Sequence, residues 1–143
     1  MKSYIRECEL KDYQEIAILN KVELGYNYPP EVTKLRLEKL LEDKGHKILV
    51  AIVDAKVVGY VHACNHDLLY APHLKNIMGI AVATEYRKNG IGKKLLTEVE
   101  IWAREAGSGV RLVSGAERSG AHKFYMACGY VYNKDQKKFI KMF

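Results

Sequence analysis

The stretch "EYRKNGIGKKLL", Glu85 to Leu96, decides how the rest of the chain is read. It lies between the apolar run "IMGIAV" (Ile77–Val82) and a segment in which Ile91, Leu95, Val99 and Trp102 recur at helical spacing. The junction is therefore a strand turning into a helix. A helix start carries unpaired N–H groups and about half a positive charge, which favour an anion. Gly90 and Gly92 remove two side chains that would block close approach, and Arg87, Lys88, Lys93 and Lys94 surround the bare backbone with cations. The glycines alone fit a tight turn equally well. The lysines do not, because at a helix N-terminus they oppose the macrodipole unless an anion offsets them.

Two common phosphate loops are excluded by position. The P-loop needs glycine five residues before its Gly-Lys pair and Ser or Thr after it, where Arg87 and Lys94 stand. The dinucleotide fingerprint needs a third small residue, where Leu95 stands, and a preceding βαβ unit that this sequence lacks.

Upstream, Tyr4, Ile5 and Arg6 suggest an opening strand. Tyr13, Ile16, Ala17 and Leu24 fit a helix closed by Gly25. "GYNYPP" breaks it, and Val32, Leu35, Leu37, Leu40 and Leu41 give a second helix from Glu31 to Glu42, started by Pro30. "HKILVAIVDAKVVGYVHACNH" reads as a hairpin turning at Asp54, Ala55 and Lys56, and "HLKNIMGIAV" as a central strand. Downstream of Gly107, "VRLVSGA" is a strand, and Ala121, Phe124, Tyr125 and Cys128 mark a short helix closed by Gly129. "YVYN" and "KKFIKMF" are expected to end the chain as strands. The order β α α β β β α β α β β predicts a mixed α/β sheet covered by helices, in one domain over residues 1–143.

The 143 residues carry 23 Lys and Arg against 17 Asp and Glu, a net charge of +6, which favours anionic partners without choosing among nucleic acid, lipid and polyphosphate. Cys8, Cys64 and Cys128 form no CxxC pair, so neither a zinc site nor a disulfide framework is indicated. No leader or membrane-length apolar run is visible, and a cytoplasmic protein with no membrane partner is expected.

"VATEYRKNGIGKKLL" (Val82–Leu96) resembles the acetyl-coenzyme A signature of the GNAT family of N-acetyltransferases: Arg or Gln, two free positions, Gly, one free position, then Gly or Ala. Arg87, Gly90 and Gly92 fill that pattern. "AHKFYMACGY" (Ala121–Tyr130) resembles the family's second motif, a small helix that carries a tyrosine and ends in Gly and an aromatic residue. The element order resembles the family over nearly the whole chain.

The resemblance implies a mostly antiparallel central sheet whose strand "IMGIAV" splays from "RLVSGA". Coenzyme A would bind along Ile80, Ala81 and Val82 and across Arg87, Lys88, Asn89, Gly90, Ile91, Gly92 and Lys93. It further implies direct attack of a primary amine, of a small molecule or peptide, on the thioester of acetyl-coenzyme A. The Ile80 N–H would polarise the carbonyl and Tyr125 would protonate the leaving thiolate. Without the resemblance, Tyr125 on its apolar stripe reads equally as a core residue.

Where the family often carries Asn before the last helix, this chain has Ser114, Gly115 and Arg118. The central strand offers no carboxylate base. Asn76 and Met78 stand there, which leaves His62, His66, Asp67, Glu23 or a water. The acceptor pocket is expected from "LGYNYPP" and from Cys64 to Pro72, with Tyr26, Tyr28 and Tyr70 as packing surfaces. No dense acidic patch favours a polycationic acceptor, although "DQKKFIKMF" resembles aminoglycoside-type members. A homodimer is common in the family. The competing expectation is a non-catalytic module of the same fold, holding acyl-coenzyme A or nucleic acid on its basic face.

Overall fold

β-branched and aliphatic residues fill "ILVAIV", and all six are buried, so this strand must be covered on both faces. In the computed structural model, which describes all residues from Met1 to Phe143, that strand is second in a five-stranded sheet of order β1-β2-β3-β4-β5. The strands are β1 (Tyr4–Glu7), β2 (His46–Val53), β3 (Lys56–His66), β4 (Leu74–Val82) and β5 (Gly109–Leu112). The first three pairings are antiparallel and β4–β5 is parallel. Asp54 (φ 48°) and Ala55 (φ 63°) make the two-residue turn between β2 and β3, both in the left-handed region that such hairpins require.

The chain divides into two compact units, Met1–Leu112 and Val113–Phe143. In the first, α1 (Tyr13–Leu24) and α2 (Pro30–Leu41) pack Ile16, Leu19 and Leu37 on the sheet face bearing Ile48, Val50, Ile52 and Tyr60. Leu35, expected on that stripe, points to solvent and is 65% exposed. The opposite face takes α3 (Ile91–Glu105), whose Trp102 lies beneath the ammonium groups of Lys47 and Lys75. Its first turn holds Lys93 and Lys94 and no carboxylate, an arrangement unfavourable by about 0.3–1 kcal/mol per charge. Fully burying Ile91, Leu95, Leu96 and Val99 contributes about 1.5–3 kcal/mol each, so packing and not propensity holds this helix.

A buried ion pair fixes the N-terminal edge. Asp12, 1% exposed, accepts from Arg6 Nη1 at 2.8 Å and Nη2 at 3.0 Å and from the Glu9 N–H at 2.8 Å. Burial pushes its pKa up, but the guanidinium and the backbone donor outweigh that and hold it below the usual carboxylate value.

The second unit contains α4 (Ser119–Ala127), which ends at Gly129 with φ 92°. The two final strands expected from "YVYN" and "KKFIKMF" do not form: no residue after α4 is in a strand. Alternation fits a residue for a pleat, but a strand exists only where a neighbour completes its ladder. Here Phe139, Ile140, Met142 and Phe143 remain exposed.

Candidate active site

The strand-to-helix turn is built by backbone conformation before any side chain acts. A single 3₁₀ turn, Thr84–Tyr86, follows β4, after which Lys88 (φ 65°) and Gly90 (φ 78°) take left-handed conformations and feed the chain into α3. A side chain at Gly90 would be strained whatever space surrounds it. Asn89 Nδ2 donates to the carbonyls of Tyr86 and Arg87 at 3.2 and 3.0 Å and holds the loop closed. The first backbone donor of the helix with a partner is Lys94, bonded to the Gly90 carbonyl. The N–H groups of Lys88, Asn89, Gly90, Ile91, Gly92 and Lys93 have no acceptor within the chain. Gly90, Lys93 and Lys94 also line a groove of about 530 Å³ with Ile5, Thr97 and Glu98.

Arg87 does not point freely toward this bare backbone. Its Nε donates to the Val82 carbonyl at 3.1 Å and its Nη2 to Glu23 Oε1 at 2.6 Å. Glu23, whose side chain is only 5% exposed, also accepts from the Thr84 N–H at 3.0 Å and the Thr84 hydroxyl at 2.8 Å. The carboxylate near the end of α1 is thus a bracket for the turn. It is tied down, which removes it from the candidate bases.

β4 is open where the family resemblance implies the splay. Its ladder to β5 runs from Leu74↔Gly109 to Ile77↔Leu112 and stops, while the ladder to β3 continues through Gly79, Ile80, Ala81 and Val82. The strands β3 and β4 shift register between His62 and Ala63, beside the His62↔Gly79 pair. A bulge at such a point turns the strand away from its neighbour.

On the α1–α2 face of that region lies a cleft of about 190 Å³. Ile16, Leu37, Leu40 and Ile48 form its apolar wall, and Asn20, Tyr28, Thr33, Arg36, Tyr60 and His62 supply polar groups. Tyr60 donates its hydroxyl to Asn20 Oδ1 and lies 3.5 Å from where a Cβ on Gly79 would sit. His62 Nε2 and His46 Nδ1 are 2.9 Å apart, and Asp43 Oδ2 stands 3.8 Å from His46 Nε2. Burial, with a smaller contribution from His46, pushes His62 down to about 4, so its ring is neutral at neutral pH.

The other expected groups disperse. Asp67 is paired with His73 at 2.5 Å, and His66 closes the far end of β3. Tyr26 and Tyr70 are exposed, and the segment from Cys64 to Pro72 does not line the cleft; Tyr28 does. Asn76 accepts from Arg111 at 2.5 Å and donates to Met78 Sδ at 3.1 Å. Sequence reasoning missed Asn20, Thr33, Arg36 and Tyr60. The i, i+3, i+4, i+7 spacing of Thr33, Arg36, Leu37 and Leu40 could have pointed to the α2 members.

In the second unit, Tyr125 is buried on α4 between the rings of Phe124 and Tyr130. Burial raises its pKa, against a smaller opposite effect of Arg118, so the phenol keeps its proton at neutral pH. His122 Nε2 lies 2.8 Å from the Gly115 carbonyl, and the Ser114 hydroxyl is buried without a partner.

The model of the Acetyltransferase (GNAT) family matches residues 10–130. No curated protein matches by sequence. Several solved structures share the fold over nearly their full length. A transcriptional regulator from Bacillus halodurans C-125 is 21% identical, with 98% of this chain and 100% of that chain covered and a TM-score of 0.88. AAC(6')-Iy, solved in complex with the bisubstrate analogue CoA-S-monomethyl-acetylneamine, is 20% identical, with 99% of each chain covered and a TM-score of 0.87. A GNAT family acetyltransferase of Staphylococcus aureus subsp. aureus USA300_TCH1516 is 24% identical over 100% of both chains, with a TM-score of 0.75. At these identities the likeness is one of fold.

Proposed function

Because the chain belongs to the GNAT family of acetyltransferases, we propose that it is a cytoplasmic N-acetyltransferase that moves the acetyl group of acetyl-coenzyme A to the primary amine of a small molecule bound in the cleft between α1, α2 and the sheet. The observation that carries this is the run of six consecutive backbone N–H groups, Lys88 to Lys93, without an internal acceptor at the start of α3. Such a run takes a pyrophosphate and gives it its hydrogen bonds. The bound coenzyme supplies the activated acetyl group. The open edge of β4 from Met78 to Val82 would pair with its pantetheine arm, and the Ile80 N–H would donate to the thioester oxygen as charge develops there.

In the transfer, the amine nitrogen forms a bond to the carbonyl carbon, the tetrahedral intermediate collapses, and the carbon–sulfur bond breaks. The ammonium must first lose a proton. Of the candidate bases, Glu23 and Asp67 are occupied by Arg87 and His73, whereas His62 lines the cleft opposite Gly79. When His62 Nε2 donates to His46 Nδ1, the other ring nitrogen of His62 can take the amine's proton only as Nε2 gives its own proton to His46, beside Asp43, so that no imidazolium builds up on a ring depressed to about 4. Tyr125 keeps its place as the acid that protonates the thiolate, on the family motif and on a phenol that stays protonated.

Thiol release from acetyl-coenzyme A in the presence of a panel of primary amines tests this reading. Turnover is expected to fall about 10²-fold in Tyr125→Phe with coenzyme affinity retained. A non-catalytic module using the +6 charge would instead release no thiol and bind duplex DNA with an affinity that collapses between low and high salt.

A further inference from the structure

The charges around the cleft are one-sided. Of the residues that line it, only Arg36 is ionised at neutral pH, since His62 is neutral and no carboxylate is present. Arg36 makes no hydrogen bond or ion pair within the chain. Of the four carboxylates on the two helices above the cleft, three are engaged elsewhere, Glu15 accepting from the Val57 N–H at 2.8 Å, Glu23 bracketing the turn and Glu31 meeting the Tyr13 hydroxyl at 3.4 Å, and the fourth, Glu38, is exposed and does not line the cleft. Helical spacing puts Arg36 beside the buried Leu37 and one turn from Thr33 and Leu40, so an exposed guanidinium stands at the rim of an apolar pocket. An unpaired guanidinium there repels an acceptor carrying only ammonium groups, and its planar fork matches a carboxylate or phosphate in two parallel hydrogen bonds.

Size points the same way. A volume of about 190 Å³ is smaller than the roughly 300–1,000 Å³ of drug-sized pockets and matches the body of a small amine better than that of a multi-ring amino sugar. We infer that the acceptor is a small amine bearing an anionic group and a short apolar body, of which an apolar α-amino acid is the simplest case. Arg36 with Thr33 would hold the carboxylate, the Leu37–Leu40 wall would hold the body, and the amine would point to His62 and Gly79. This rests on the cleft being the acceptor site.

The test compares leucine with isopentylamine, the same body without the carboxylate, and adds the phosphonate analogue of leucine and neamine as further arms. Binding is read by calorimetry and turnover by thiol release. Leucine is expected to exceed isopentylamine at least ~10-fold in kcat/KM, through KM, and Arg36→Gln to shrink that ratio toward one. Lys39→Gln, which removes an exposed charge from the same helix away from the cleft, is expected to leave the ratio intact. A phosphonate preferred over leucine would keep the anion site and reassign its ligand to the phosphate class. Equal binding of the two amines, a ratio indifferent to Arg36→Gln, no binding of either amine, or neamine outpacing leucine would each overturn the inference. Arg36-dependent binding of leucine with no thiol release from any amine would uphold the anion site and sink acetyl transfer instead.

Discussion

Replacing Glu23 by Gln isolates the bracket that holds the turn proposed for the coenzyme, because the substitution keeps shape and one acceptor while removing the charge. Three donors converge on that carboxylate: Arg87 Nη2 at 2.6 Å, the Thr84 hydroxyl at 2.8 Å and the Thr84 N–H at 3.0 Å. Breaking a buried ion pair costs about 3–5 kcal/mol when the orphaned charge stays buried. Here the Arg87 side chain is 52% exposed and can return to water, so the loss should approach that of one charge-assisted hydrogen bond, about 2 kcal/mol. If the loosening is confined to the turn, the same free energy comes out of coenzyme binding as roughly a 30-fold rise in Kd for acetyl-coenzyme A. Calorimetric titration gives that Kd, and urea unfolding of the same variant shows how much of the effect is global. Arg87→Gln should be milder than Arg87→Ala, since an amide can still donate to Glu23 and to the Val82 carbonyl. A folded Glu23→Gln protein that binds the coenzyme within twofold of the parent would falsify the bracket. Tighter binding would mean that Glu23 restrains Arg87 from the phosphates instead of positioning the turn.

Gly92→Val adds a branched side chain in the first turn of α3, where valine is slightly better than glycine for helix formation. Unfolding free energy should therefore hold or rise while acetyl-coenzyme A affinity drops about tenfold or more; unchanged affinity removes the cradle from the bare backbone. His62, depressed to about 4 from 6.5, stabilises the fold above its unfolded value, and that stability is lost as pH falls from ~6.5 to ~4. At about 1.4 kcal/mol per pH unit, and allowing for partial exposure, this limb should be on the order of 2 kcal/mol. His62→Leu should flatten it in urea titrations between pH 7 and pH 5, and a limb that persists would assign the titration elsewhere. Asp12, whose pKa is lowered, stabilises above the unfolded carboxylate value and gives this up only below about pH 4. Asp12→Asn, which leaves Arg6 without its charge partner, should cost about 2–3 kcal/mol at pH 7 and show in the same titrations; a neutral effect would mean that the pair contributes nothing net.

What could be read in the sequence followed from local physics. Gly25, Gly107 and Gly129 stand in left-handed conformations just past helices whose apolar period points to an end there, and Gly90 takes the same conformation where the strand turns into α3. The Asp54–Ala55 turn could be located from the two apolar runs flanking it. What failed was what depends on a distant partner. The pattern of "KKFIKMF" suits a strand, but the pattern cannot say that a neighbouring strand is there to receive it. Leu35 has the composition of a core position and the register of a solvent-facing one, because α2 meets the sheet through Leu37 and Leu40.

Arg87 shows the same limit inside the site. As a residue type before a glycine turn it reads as a ligand for phosphate, and its charge was part of the reason for reading the turn as an anion site. Its contacts reverse that contribution: the guanidinium is already met by Glu23, sixty-four positions earlier in the chain. The proposed anion site does not depend on Arg87's charge. The backbone donors from Lys88 to Lys93 are unpaired regardless, and Lys88 and Lys93 remain available beside them. Arg36 is the converse case. Helical spacing puts it on the face of Thr33, Leu37 and Leu40, but only the folding of α2 over β2 and β3 sets it, uncompensated, at the rim of a cleft. The cation that the motif announces is spent on structure, while the one it does not announce is left free for a ligand. A double variant, Arg36→Gln with Arg87→Gln, should accordingly lose acceptor discrimination and coenzyme affinity as independent terms, with the two free energies adding to within about 0.5 kcal/mol. Strong coupling between them would mean that the acceptor cleft and the coenzyme turn move together through α1, whose C-terminal end carries Glu23 and whose Asn20 faces the cleft.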